Sequence, residues 1–233
     1  MEKVVYVLWK NPSLGDEQFK RALIGPLAAR LRELGAPRLK ICVVDDDVAA
    51  GARIRIGSMA PAKAAMVSFW LEQSQERAAH ERAIAEQTAK MAGYLVVESR
   101  PLVNDSQLAA PGERTPGFSY VSCIRPRAGL SHEEFIHLWY TVQRDMAIET
   151  QSTFSYVRNE IVRPLTPDAP AWAAIVEECF PIGALDDPMI FYDARGSAER
   201  LAAHQKRMFE AVQTFIALDA IECHPMSEYV FEH

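Results

Sequence analysis

Apolar and polar positions along the chain switch between two periods, and the switches mark out its elements. Lys3–Trp9 (KVVYVLW) is a short apolar run that predicts a strand. Asp16–Leu34 turns to helical spacing, with Phe19, Leu23, Leu27, Leu31 and Leu34 recurring every three to four residues. Arg38–Asp45 (RLKICVVD) and Lys63–Leu71 (KAAMVSFWL) predict two more strands, joined by a Gly-containing stretch that runs to Pro61. Ser74 is placed to cap a helix over Gln75–Ala92, Gly93 to stop it, and Tyr94–Pro101 to form a fourth strand. The predicted order is β-α-β-β-α-β.

Residues 103–117, VNDSQLAAPGERTPG, break this pattern with two Pro-Gly pairs and polar filler, and predict a linker. The same order then recurs. Phe118–Arg125 predicts a strand. Ser131 and Glu134 have capping-box spacing at the head of a helix that carries Phe135, Leu138, Trp139, Val142 and Met146 to about Thr150. Thr153–Pro164 and Ala171–Pro181 predict strands, Ser197–Ile216 an amphipathic helix, and Ala220–Phe231 a closing strand. Leu14–Phe19 lies over Leu130–Phe135 with a shift of 116. Two such units predict an α+β fold of two tandem ferredoxin-like domains, 1–102 and 118–233, whose sheets pack on each other as an α/β barrel within one chain. Residues 186–194 have no counterpart in the first half and suggest a lid or an oligomer contact.

Composition narrows the partners. The 233 residues carry 25 Lys and Arg against 31 Asp and Glu, a net charge of −6, with no basic cluster suited to nucleic acid. No apolar run approaches a membrane span or a signal peptide, so a cytoplasmic protein is expected. The cysteines, at 42, 123, 179 and 223, lie in strand-like segments without C-x-x-C spacing, and buried free thiols are expected.

The second-half segments GLSHEEFIHLWYTVQRDMA and TFSYVRNEIV resemble the EthD-domain family of the dimeric α/β-barrel superfamily. KVVYVLWKNPSLGDEQF with IGPLA resembles a more diverged copy. The resemblance implies a cofactor-free protein that handles small, aromatic or polyketide-like molecules. The family pattern has His-x-Pro-Leu late in the first helix. Here that stretch reads Ile24-Gly25-Pro26-Leu27 and, in the second copy, Gln143-Arg144-Asp145-Met146, so the histidine is absent from both.

Other chemistry is sparse. His132 and His137 are five apart, about 140° around a helix, which rules against one shared metal ion. No phosphate-binding glycine loop or nucleophile elbow is present, so neither a metal nor a nucleotide cofactor is expected. His137 lies on one flank with Tyr140 and Gln143 and is a candidate general base, or a surface residue paired with Glu133. His224, before Pro225 at a strand end, is a second candidate. Strand alternation groups Tyr156, Arg158 and Glu160 on one face and Val157, Asn159 and Ile161 on the other, with the second face expected to be the more buried. Trp139, Tyr140, Gln143, Tyr156, Arg158 and Asn159 are the candidate ligand contacts. Two functions remain open. One is a cofactor-free lyase, cyclase or isomerase acting on an aromatic or carbonyl compound. The other is a non-catalytic binding or scaffold protein. The chain is expected to be a monomer with an internal pseudo-dimer, or a homodimer.

Overall fold

A computed structural model describes residues 1–231 of the chain. Its strands are β1 (Glu2–Trp9), β2 (Lys40–Val43), β3 (Ala65–Leu71), β4 (Lys90–Leu102), β5 (Phe118–Ile124), β6 (Ser155–Pro164), β7 (Ala174–Phe180) and β8 (Glu222–Val230). All pair antiparallel in one closed barrel of order β1-β3-β2-β8-β5-β7-β6-β4. Cutting the ring at β2–β8 and β4–β6 leaves two sheets with the same 4-1-3-2 order, which is that of a ferredoxin-like unit. The two sheets therefore do more than stack. Their edge strands pair, β2 with β8 and β4 with β6, which removes every exposed edge.

Each unit packs its helices on the outer face of its own sheet. In the first, α1 (Asp16–Ala22) and α2 (Ala28–Glu33) are joined by a π-helical turn over Leu23–Leu27. In the second, α4 (His132–Leu138) and α5 (Arg144–Thr150) are joined by a π-helical turn over Trp139–Gln143. The two turns are 116 residues apart, the spacing read from the sequence. Pro26 sits inside the first of them, where the widened ladder absorbs its missing N–H without ending the helix. α4 starts with the expected capping box: Ser131 accepts from the Glu134 N–H at 3.2 Å and the Glu134 carboxylate accepts from the Ser131 N–H at 2.8 Å. α7 (Ala198–Val212) is capped by Ser197, and α6 (Pro188–Phe191) by Asp187. No helix among the described residues is long and apolar enough to cross a membrane. All four cysteines are buried free thiols.

The second helix of the first unit is shorter than its sequence predicts. Ser74–Arg77 is a 3-10 turn, and α3 covers only Ala78–Ala85. Gly93 is not a helix stop; it lies inside β4, where an added Cβ would come within 2.6 Å of the Tyr6 ring. That ring is fully buried and stacks on Phe69 at 5.8 Å, so it has no room to yield. Gly93→Ala is expected to destabilise the fold by about 1–3 kcal/mol, with the urea m-value unchanged in equilibrium denaturation.

Burial on both barrel faces explains the continuous apolar runs. Val4, Tyr6 and Leu8 face the helices of the first unit, while Val5, Val7 and Trp9 fill the lumen with Met66, Tyr94, Ile175 and Met226. The end of the lumen nearer the start of β1 is charged instead. There the Lys3 ammonium lies 2.5 Å from Glu98, 2.7 Å from Asn159 Oδ1 and 3.6 Å from Glu177. Lys40 pairs with Glu177 and, at 3.6 Å, with Glu228. Residues 104–113 of the connection between the units line a cavity of about 270 Å³ over this network.

Candidate functional site

A cavity of about 650 Å³ lies between the outer face of the second sheet and its helices. Its floor is Tyr120, Ser122, Ile124, Tyr156, Val176 and Glu178, and its wall includes Trp139, Gln143, Met208 and Val212 from the helices and Phe215 from the turn after α7. The insertion read from the sequence forms part of the rim through Asp186, Pro188, Phe191 and Tyr192. Arg53, Ile54 and Ile56 complete it, so the first unit contributes to a site housed in the second. The Tyr120 hydroxyl donates to the Ile54 carbonyl and ties this loop to the floor. Size and apolar lining suit a small organic ligand.

Glu178 is the chemical centre of the floor. Tyr120 and Tyr156 stand opposite it on the two neighbouring strands, on the same face. Burial raises its carboxyl from the ordinary 4.5 to about 7, against the pull of Arg158. Its Oε1 has no hydrogen-bond partner among the described residues. Arg158 is buried too. Its guanidinium sits 4.5 Å from the Tyr140 ring centroid, 5.2 Å from Tyr156 and 5.6 Å from Trp139. Three ring faces thus solvate a cation that water does not reach. The Tyr156 hydroxyl accepts from Trp139 Nε1 at 3.1 Å, and burial followed by the Glu178 charge pushes that hydroxyl up.

The first unit is an internal control. Val4 and Tyr120 are 116 apart; Val4 pairs with Phe69, as Tyr120 pairs with Glu178. In the same register, Arg158 pairs with Val176 where Ile41 pairs with Val67. Gln143 ends the π-helical turn where Leu27 ends the other. Phe69, Ile41 and Leu27 are all in a packed apolar core. The positions that are polar in the second unit are oily in the first, so neither the barrel nor its helix packing requires Glu178, Arg158 or Gln143.

Of the residues expected from the sequence, Trp139, Gln143 and Tyr156 line this cavity, and Arg158 and Tyr140 stand directly behind it. The expected faces of β6 need correction. Arg158 faces the helices and is buried, while Asn159 points into the lumen, donating to the Glu177 carboxylate at 2.8 Å and to the Ile175 carbonyl at 3.1 Å. Both faces of β6 are covered, so apolar neighbours did not identify the site face. His137 is exposed on the outer side of α4, away from the cavity. His224 is in the lumen, with Nδ1 3.1 Å from the Lys63 carbonyl oxygen and Nε2 3.5 Å from Glu222. Burial, helped by Lys63 and Arg55, drives its imidazole down to about 3, so it is neutral at pH 7. The π-helical turns also realign the helix: Gln143 matches Leu27, and it is Tyr140, not Gln143, that matches Ile24. Glu178 was missed. Its signal is AIVEECF, two adjacent carboxylates in the middle of an apolar strand, one for each face.

No family model and no curated protein matches this chain. Among solved structures it is similar to an anthrone oxidase-like protein, at 10% identity and a TM-score of 0.53, over all of this chain and 93% of the other. It is also similar to a dye-decolorizing peroxidase from Bacteroides thetaiotaomicron, at 8% identity and a TM-score of 0.49, over 98% and 93%. The first of these likenesses is one of fold alone, an α/β barrel closed here by the strands of a single chain.

Proposed function

We propose that this chain is an internally duplicated, EthD-like barrel whose second unit binds a small, largely apolar aromatic or carbonyl compound and moves a proton on it without a cofactor. The observation that carries the reading is Glu178. It is a carboxyl held at about 7 in a 650 Å³ apolar cavity, at a position where the first unit has phenylalanine. In its ionised form Glu178 takes a proton from the carbon next to a carbonyl, and the substrate electron pair moves onto the carbonyl oxygen as an enolate. The protonated carboxyl then returns a proton to carbon or to oxygen. A base titrating near the working pH suits both halves of this cycle. His137 and His224 take no part in it.

The probe that tests this reading is 2-tetralone, a bicyclic ketone of suitable size, whose α-hydrogens exchange for deuterium in D₂O at a rate followed by NMR. The exchange rate is expected to climb between pH 6 and pH 8 as Glu178 ionises. Glu178→Gln is expected to lower it about 100-fold or more, while His137→Ala leaves it unchanged. Exchange that survives in Glu178→Gln would remove the carboxyl from the chemistry. Gln143 favours a second reading, a binding protein, because an amide beside the cavity orients a ligand but cannot shuttle protons. Tight binding of 2-tetralone with no exchange at any pH would select it.

A further inference from the structure

Three side chains lining the cavity end in buried oxygens without a hydrogen-bond partner: Gln143 Oε1, Gln151 Oε1 and Glu178 Oε1. No buried nitrogen on the described lining residues is left in that state. Trp139 Nε1 is used by Tyr156, and the Gln143 amide N–H goes to Met208 Sδ at 3.5 Å. That contact orients the amide. A thioether sulfur accepts but cannot donate, so the NH₂ group faces it and the carbonyl oxygen is left over. On the residues that line the cavity the unmet demand is therefore of one kind, acceptors waiting for donors; the unpartnered donors nearby, Arg158 Nε and Nη2, stand behind Trp139 and Tyr156 and not on the lining. A buried acceptor left unmade is unfavourable, and a ligand hydroxyl that reaches it restores the lost bond.

From this geometry we infer that the ligand is a neutral ring compound bearing two or more hydroxyl groups, and that the site rejects carboxylated analogues. The inference rests on the small-molecule reading above and specifies its ligand. Selection works in both directions. A hydroxyl donates to Gln143, Gln151 or Glu178, whereas a ligand carboxylate would bring a second negative charge to Glu178 and offer no donor. Methylating a hydroxyl keeps the oxygen and the ring but deletes the donor, so a methoxy analogue leaves the same oxygens unpaired.

The test uses the full chain and four probes of one ring size: 1,3-dihydroxynaphthalene, 2-naphthol, 2-methoxynaphthalene and 2-naphthoate. Binding is read by quenching of tryptophan fluorescence, with Trp139 in the cavity wall as the reporter. Affinity is expected to fall about tenfold from the diol to the mono-ol and about tenfold again to the methoxy compound, each step equivalent to about 1.4 kcal/mol. The naphthoate is expected to bind weakest. Gln143→Leu, which installs the residue of the matching first-unit position, is expected to shrink the hydroxyl advantage and leave the methoxy affinity in place. Equal binding of 2-naphthol and 2-methoxynaphthalene, or tighter binding of the naphthoate, would overturn the inference while the cavity reading stands. Failure of all four to bind would overturn both.

Discussion

Glu178→Gln is expected to stabilise the fold by about 3 kcal/mol at pH 9 and to leave it unchanged at pH 4. The folded carboxyl titrates near 7, against 4.5 for the same group in the unfolded chain, because burial opposes its charge. Below pH 4.5 both states are protonated and the site has no penalty. Between 4.5 and 7 the unfolded chain releases its proton first, so stability falls as pH rises. Above 7 the folded state carries the full burden of a buried carboxylate, and a neutral amide of the same shape does not. Urea denaturation of both proteins at pH 4 and pH 9 measures the difference. An equal effect at both pH values, or a loss at pH 9, would mean that Glu178 is adequately solvated or paired and is not a poised base. A group kept despite such a penalty, at a position filled by Phe69 in the other unit, is one retained for chemistry rather than for stability.

The sequence discloses this architecture well because two independent periods agree in both halves. The spacing of Phe19, Leu23, Leu27 and Leu31 finds a helix, and the shift of 116 finds its partner down to the π-helical turns. Ser131 and Glu134 mark a helix start through local hydrogen bonds, which a local pattern can encode. Closure of the barrel is not local. The β2–β8 and β4–β6 pairings join residues far apart in the chain, and nothing within either strand names its neighbour. The site was half legible for the same reason. Trp139, Gln143 and Tyr156 could be placed near one another from a helix and a strand. The face of β6 could not be chosen, because Val157 and Asn159 on one face are as buried as Tyr156 and Arg158 on the other. Histidine drew attention as the residue that titrates near neutrality unaided. The group that does so here is a carboxylate moved by burial, and burial is a property of the fold.

Lys40→Met is expected to destabilise the protein by about 3–5 kcal/mol at pH 8, the largest loss foreseen for any single lumen residue, because it removes the ammonium that pairs with two buried carboxylates. The Lys40 ammonium pairs with Glu177 and lies 3.6 Å from Glu228. Burial works to raise the Glu177 carboxyl, but Lys40 and Lys3 outweigh it and hold it at about 2, below the ordinary 4.5. A carboxyl lowered on folding contributes stability that is present above pH 4.5 and is lost as pH falls toward 2. Without Lys40 that contribution shrinks, so the penalty of the variant is expected to be large at pH 8 and much smaller at pH 3. Adding Glu177→Gln to Lys40→Met is expected to recover most of the loss, since a neutral amide needs no counter-charge and keeps its bond to Asn159. Urea denaturation at the two pH values decides the matter; a loss below about 1 kcal/mol, or one that does not change with pH, would show the network to be hydrated and weak. Glu177 and Glu178 are neighbours on β7, turned to opposite faces of one sheet. Paired ammonium groups pull the first down and an apolar cavity lifts the second, so the same residue type fastens the barrel on one side of the strand and equips the pocket on the other.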